Sequence, residues 1–236
     1  SYTDAGLVTG LLQRYSVPVL EAVLEVTSAP IQRTASEILN ISILQGLSHP
    51  MQVVPYLVSL ETSQDPILRS RAAQLHRHMM SKHASLLASR YGECVRASFQ
   101  FQCRLTSHPR GYRDGEQHAE ALLQTWFDML SEHRTARLAF LKALVRLMDV
   151  TMGTTCTESD VNLAMYVADN LALLEYRVAE EPLLVIHELK MLHAVTGGQV
   201  MSMVTRKLRA DDNQRSPSPL TCLLYTSDAA DEEDSV

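Results

Sequence analysis

Residues 30–39, "PIQRTASEIL", return 36 positions later as "PILRSRAAQL" at 66–75. Pro30, Ile31, Arg33, Ser36 and Leu39 fall on Pro66, Ile67, Arg69, Ala72 and Leu75. Each copy opens with a proline, whose missing N–H is harmless in the first turn of a helix. Each then spaces its apolar residues three and four apart, which is the pattern of one helix face. A helix, a proline-marked turn and a second helix recurring at this period predict a solenoid of helix pairs, in which each pair exposes an apolar face that its neighbour covers. The chain is therefore expected to be all-α, a right-handed stack of antiparallel helix pairs with almost no strand.

The flanking sequence extends the pattern. Helices are predicted at 17–27, at 31–45 with Gly46 as the stop, from Pro50, and from Pro66 with His83 near its end. Pro55 is expected to kink or restart the third of these. A further helix covers 84–105, and two more pairs follow, 116–130 with 134–148 and 160–174 with 181–195. The connectors "TSHPRGYRDGE" and "MGTTCTESD" are rich in turn formers, and Thr157 three residues before Asp160 resembles a capping box. The solenoid is assigned to residues 1–209. From 210 to 236 periodicity is lost and disorder is expected. Within that tail, 221–236 reads like a translated sequencing adapter and is set aside as non-native.

The 236 residues carry 46% apolar and 20% charged side chains and a net charge of -6, the balance of a folded domain. The acidic total hides a basic middle. Lys and Arg number two against six acids over 1–68, thirteen against six over 69–146, and six against fifteen over 147–236. Cys94, Cys103, Cys156 and Cys222 have neither disulfide-scaffold nor metal-ligand spacing, so a reducing compartment is expected. No run reaches the ~18 apolar residues of a membrane span, and no basic leader precedes the first helix. The chain does not begin with Met, and a fragment of something longer is expected.

The basic residues divide by helical phase. In "SEHRTARLAFLKALVRLMD" (131–149), Arg134 and Arg137 share the arc of Leu138, Leu141, Leu144, Val145 and Met148. They are expected to be structural, reaching carbonyls or acids that end the preceding helix, such as Asp128. Lys142 and Arg146 lie opposite, on an exposed ridge. In 66–83, Leu68, Ala72, Leu75 and Met79 form the buried stripe, with Arg69 and Arg77 pointing out and His76 near Arg69. Arg110 and Arg113 flank Gly111 in the nearby loop, where glycine would permit a tight turn. Basic residues on successive helices make a track for phosphates, so Arg69, Arg77, Arg110, Arg113, Lys142 and Arg146 are the candidate DNA-binding residues. Asn170 sits within an apolar stripe and must be hydrogen-bonded there; Trp126, Phe127 and Phe140 are read as core. Asp160, Asp169, Glu180 and Glu181 form an acidic region, which would either recruit a basic partner or, as exposed acids usually do, only meet solvent.

Enzyme signatures are missing. There is no phosphate-binding glycine loop and no nucleophile elbow. His187 and His193 are six apart, whereas a zinc helix needs four; no metal site and no cofactor are expected.

Four stretches carry a family likeness: "QGLSHPMQVVPYLVSLET" (45–62), "HPRGYRDGEQHAEALL" (108–123), "EHRTARLAFLKALVRLMD" (132–149) and "DVNLAMYVADNLALLEYRVAEEPLLVIHEL" (160–189). The chain resembles the Nipped-B-like cohesin-loading family, also called sister chromatid cohesion protein 2, over about 7–200. The resemblance implies a HEAT-type helical-repeat solenoid from the C-terminal part of a much longer, hook-shaped nuclear scaffold that is not an enzyme. It implies cohesin loading on chromatin, ATPase stimulation, and contact with the SMC heads, the kleisin and double-stranded DNA without sequence preference. The family's small obligate partner would bind outside this segment. Arg110, Arg113, Arg134 and Arg137 stand at family-like positions. The alternative is a HEAT- or armadillo-type adaptor for transport or complex assembly, which uses the same fold for other cargo.

Overall fold

The computed structural model describes residues 2–115, 118–149 and 157–214. Residues 210–214, where disorder is expected, are helical; from 215 onward that expectation lies outside the described residues, and so does the adapter-like stretch.

Three of the predicted proline starts begin helices. In α2 (Ala29–Leu44) Pro30 occupies the first turn; α3 (Pro50–Glu61) and α4 (Pro66–Ala88) begin on prolines. At α4 the Asp65 carboxylate accepts the Ile67 N–H at 2.9 Å, filling one of the donor vacancies that every helix start leaves. The segment α3 runs on through Pro55 without restarting. His83, with φ -136° and ψ 27°, interrupts α4 where the sequence places the end of that helix. The helix before them, α1 (Tyr2–Val23), is longer than expected.

Gly46 closes α2. Its φ of +70° lets the chain reverse, so that Gly46 N–H donates to Ile43 O at 3.0 Å and Leu47 N–H to Ser42 O at 2.9 Å. This is the paired 5→2 and 6→1 pattern of a Schellman cap.

After α5 (Tyr91–Leu105) comes the small amount of strand that the all-α expectation allowed. A two-stranded antiparallel ribbon, β1 (Tyr112–Asp114) and β2 (Ala119–Ala121), pairs Arg113 with Glu120. Of the helix expected over 116–130, the described residues show α6 (Gln124–Met129), and 116–117 lie outside the described residues. Then come α7 (Arg134–Leu147), α8 (Glu158–Leu173) and α9 (Glu180–Gln214). The start of α8 carries the predicted reciprocal cap: Asp160 N–H donates to Thr157 Oγ1 at 3.2 Å and Thr157 N–H to the Asp160 carboxylate at 2.9 Å. The described chain is predominantly helical.

Two compact units result, Ser1–Leu192 and His193–Val236. The described part of the second is the later length of α9. In the first unit one apolar core runs from Leu20 to Val185. α1 packs on α2 and α3, α2 on α4, α3 on α4 and α5, and α5 and α8 on α7. At the centre, Trp126 meets Phe140 at 4.9 Å and Tyr91 at 5.5 Å between ring centroids, edge to face. These geometries add to what burial supplies. Trp126, Phe127 and Phe140 are core, as expected.

Glycine-to-alanine substitutions test this reading with opposite signs. Gly46→Ala is expected to cost about 1–2 kcal/mol, because alanine is strained at positive φ. Gly10→Ala, in the exposed interior of α1 with nothing within 4 Å, is expected to gain about 0.5–1 kcal/mol. Urea unfolding of the two variants checks both.

Candidate functional site

The basic residues of α7 serve mostly to hold α9. Arg137 is buried, at 2% exposure. Its Nε and Nη2 donate to the two carboxylate oxygens of Glu181 at 2.5 and 3.0 Å, and Nη1 donates to Phe127 O at 3.0 Å. The guanidinium carbon sits 3.7 Å from the centroid of the Phe127 ring. Glu181 also accepts the Arg177 N–H at 2.9 Å. Burial pushes its carboxyl up, but Arg137 and the backbone donor outweigh that and hold it below the ordinary value. Arg134 pairs with Glu180 in a two-pronged contact, and Lys142 meets Glu188 at 3.3 Å. Three of the four cations of the helix are thus paired with α9. Arg137 behaves as expected, reaching a carbonyl of the preceding helix. Arg134 takes an acid from α9 instead of Asp128, and is exposed.

A second clasp joins the ribbon to α8. Arg110 donates through Nε and Nη2 to Asp169 at 2.7 and 2.9 Å, and Gly111 N–H donates to the same carboxylate at 3.0 Å. The hydrogen bond from Arg110 is the main cause of the lowered Asp169 pKa. Asn170, fully buried, accepts the Leu123 N–H at 2.9 Å and donates to Tyr166 O at 2.9 Å. It locks α8 to the strand that leads into α6, as its place in the stripe predicts. Gly111 has no positive φ; the tight-turn reading is corrected to one of space. A Cβ there would stand 2.0 Å from Tyr166 O and 2.5 Å from Asn170 Nδ2.

The remaining candidates divide into held and open. Arg69 turns back and donates to Ser63 O and Gln64 O at 2.9 and 2.8 Å, so it neutralises the carbonyl end that follows α3. Arg113 is half-buried beside it and donates to Glu61 O at 3.3 Å. Desolvation first, then the charge of Arg69, lowers its pKa. Arg77 and Arg146 are exposed, with no ion pair among the described residues. The structure does not join the six into one unoccupied row: Arg69, Arg110, Arg113 and Lys142 have partners within the chain.

Two readings change. His76 does not face outward near Arg69; it is fully buried, with Nδ1 2.8 Å from Glu61 Oε1 and its ring 5.3 Å from that of Trp126. Its place was legible, since it lies four residues after Ala72 and three before Met79. The acidic region is also not an open recruiting surface, because Asp169, Glu180 and Glu181 are each bound to an arginine.

The sequence reading missed a groove of about 880 Å³ between α1, α3 and α5. Its signal was the set Arg90, Arg96 and Arg104 on one predicted helix region. Among the described residues no group of three His, Cys, Asp or Glu is placed for a metal ion. No described helix is long and apolar enough to cross a membrane.

Comparison with known proteins gives one consistent result. Residues 8–192 match the family model described as sister chromatid cohesion C-terminus. The human Nipped-B-like protein is 29% identical over 219 residues, covering 91% of this chain and 8% of the relative. The mouse protein of the same name is 30% identical over 221 residues, 92% of this chain and 8% of the relative. The Drosophila melanogaster Nipped-B protein is 23% identical over 220 residues, 89% and 10%. The chain thus spans about a tenth or less of the length of these relatives.

Two substitutions test the clasps. Arg137→Ala leaves a buried carboxylate unpaired and is expected to cost about 3–5 kcal/mol, whereas Arg134→Ala, at 68% side-chain exposure, is expected to cost under about 1 kcal/mol. Equal losses in urea unfolding would contradict the assignment. Gly111→Ala drives a methyl group into the α8 backbone and is expected to cost about 1–3 kcal/mol, with faster amide exchange at Leu122 and Leu123.

Proposed function

We propose a function from the premise that the chain belongs to the Nipped-B family and carries its sister chromatid cohesion C-terminal region. It is a non-catalytic segment of a scaffold that loads cohesin on chromatin in the nucleus. The observation that carries this reading is the continuous family match over residues 8–192.

The proposed architecture is a HEAT-type solenoid. The packing of α1 on α3 and α3 on α5, with α2 on α4, supports it, because like helices of successive pairs stack on one another. The 36-residue offset supports it too: Ser36 and Ala72, and Leu39 and Leu75, are all buried, while Ile31 and Ile67 are both exposed. The solenoid is assigned to 1–209, with 210–236 as a tail outside it.

Within the scaffold, the segment presents surface to cohesin, through the SMC heads and the kleisin, and to double-stranded DNA. The small loader partner binds elsewhere. Stimulation of the cohesin ATPase belongs to the whole scaffold, to which this segment contributes a rigid stack. For DNA, Arg77 and Arg146 are the open cations. Lys142 is the next most available, since a surface pair is worth about 0–1 kcal/mol and exchanges cheaply for a phosphate. Arg69, Arg110 and Arg113 stand behind these as structural cations whose charge still adds to the local potential.

The test is a titration of the purified chain against labelled duplex DNA at several salt concentrations and against purified cohesin heads with kleisin. The Arg77→Glu/Arg146→Glu variant is expected to fold normally, to weaken DNA binding equally for unrelated sequences, and to lower the salt slope by about two, one per lost contact. Cohesin binding should persist. Failure of the unmodified chain to bind either partner would reject the reading.

A further inference from the structure

We propose that the groove between α1, α3 and α5 docks a short amphipathic helix of a protein partner, with an apolar stripe flanked by carboxylates. The proposal goes beyond the cohesin reading and does not depend on it.

The groove mixes apolar side chains with Ser16, Gln52, Ser59 and Gln100, and its cations stand on one lip. Leu20, Pro55, Tyr56, Phe101 and Leu147 contribute to its walls and floor, and Val17 stands 64% exposed at its edge. Every lysine or arginine that lines it comes from one side, Arg90, Arg96 and Arg104, at the start and along the length of α5. The lining residues of α5 run from Gly92 to Arg104, a length of about 18 Å at ~1.5 Å per residue. That accommodates three turns of a docked helix. Apolar grooves between helices take such a helix through anchors at i, i+3, i+4 and i+7.

Charge selects the flanks of the occupant. Arg96 is exposed and makes no close ion pair among the described residues, although its charge acts on Asp160. Arg104 reaches across to Glu21 at 3.5 Å, with side-chain exposures of 46% and 56%. That contact is weak enough to be exchanged for an incoming carboxylate. Arg90 is already engaged by Glu93. Nucleic acid fits less well. Its affinity comes from many phosphate contacts, whereas this groove has one cation outside an ion pair and two glutamates of its own, Glu21 and Glu93.

The probe is a fluorescein-labelled, 14-residue helical peptide with leucines at i, i+3, i+4 and i+7 and glutamates on the flank that would face α5. A lysine-flanked peptide of the same stripe and a labelled duplex serve as comparisons, and fluorescence anisotropy with the full chain is the readout. The glutamate peptide should saturate below ~100 µM and bind at least ~10-fold tighter than the lysine peptide. Arg96→Glu and Val17→Lys, both at exposed positions, should each weaken it by at least ~5-fold while leaving the circular dichroism unchanged. The proposal is overturned if the glutamate peptide does not saturate, if both peptides bind alike, or if neither variant changes the affinity. Displacement of the peptide by duplex DNA, lost in Arg96→Glu, would instead make the groove a nucleic-acid surface and also overturn it.

Discussion

The buried pair of Arg137 and Glu181 is the interaction on which the later half of the first unit depends. Removing two charges from water costs several kcal/mol each, and their attraction repays this only when the remaining hydrogen-bonding capacity is also satisfied. Here it is. The guanidinium spans both carboxylate oxygens, donates a third bond to Phe127 O and covers the Phe127 ring. The carboxylate takes a backbone donor from Arg177 as well. The geometry leaves little freedom: α6, α7 and the start of α9 must meet in one arrangement for both charges to be tolerated. A hydrophobic substitute could match the stability of this contact.

The clasp between the ribbon and α8 works by the same logic with weaker parts. Asp169 is partly exposed, so its bonds to Arg110 and to Gly111 N–H contribute less than a buried pair. Position is what they supply. Asn170, one residue along, satisfies Leu123 N–H in the core, where an unmet donor would cost about 1–3 kcal/mol. Glycine at 111 is then required by the closeness of the two backbones.

These clasps change the meaning of the basic middle of the chain. Most of its arginines face acids or carbonyls within the molecule, and their charge is largely spent on packing. Among the described residues of that stretch the cations left open are few: Arg77, Lys82 and Arg146 on one account, Arg96 beside a groove on another. A surface of this kind favours partners that bring shape and apolar area, with charge setting orientation and encounter, over partners held by charge alone.

The sequence by itself determined the helical class, the starts at Pro50 and Pro66, the stop at Gly46, the Thr157–Asp160 cap, and the buried fates of Trp126, Arg137 and Asn170. Each of these rests on local stereochemistry or on helical phase, which a few neighbouring residues decide. Tertiary structure decided the rest. Whether Arg134 met Asp128 or Glu180, whether Lys142 stayed free, and whether Asp169 was a lure or a latch all depend on residues some 46 to 59 positions away. Periodicity carries no information about pairing at such range. The ribbon at 112–121 was hidden for a related reason: three-residue strands are too short to show alternation, and they pack against α8, a distant element. The groove is likewise a property of three helices together, and no one of their sequences contains it.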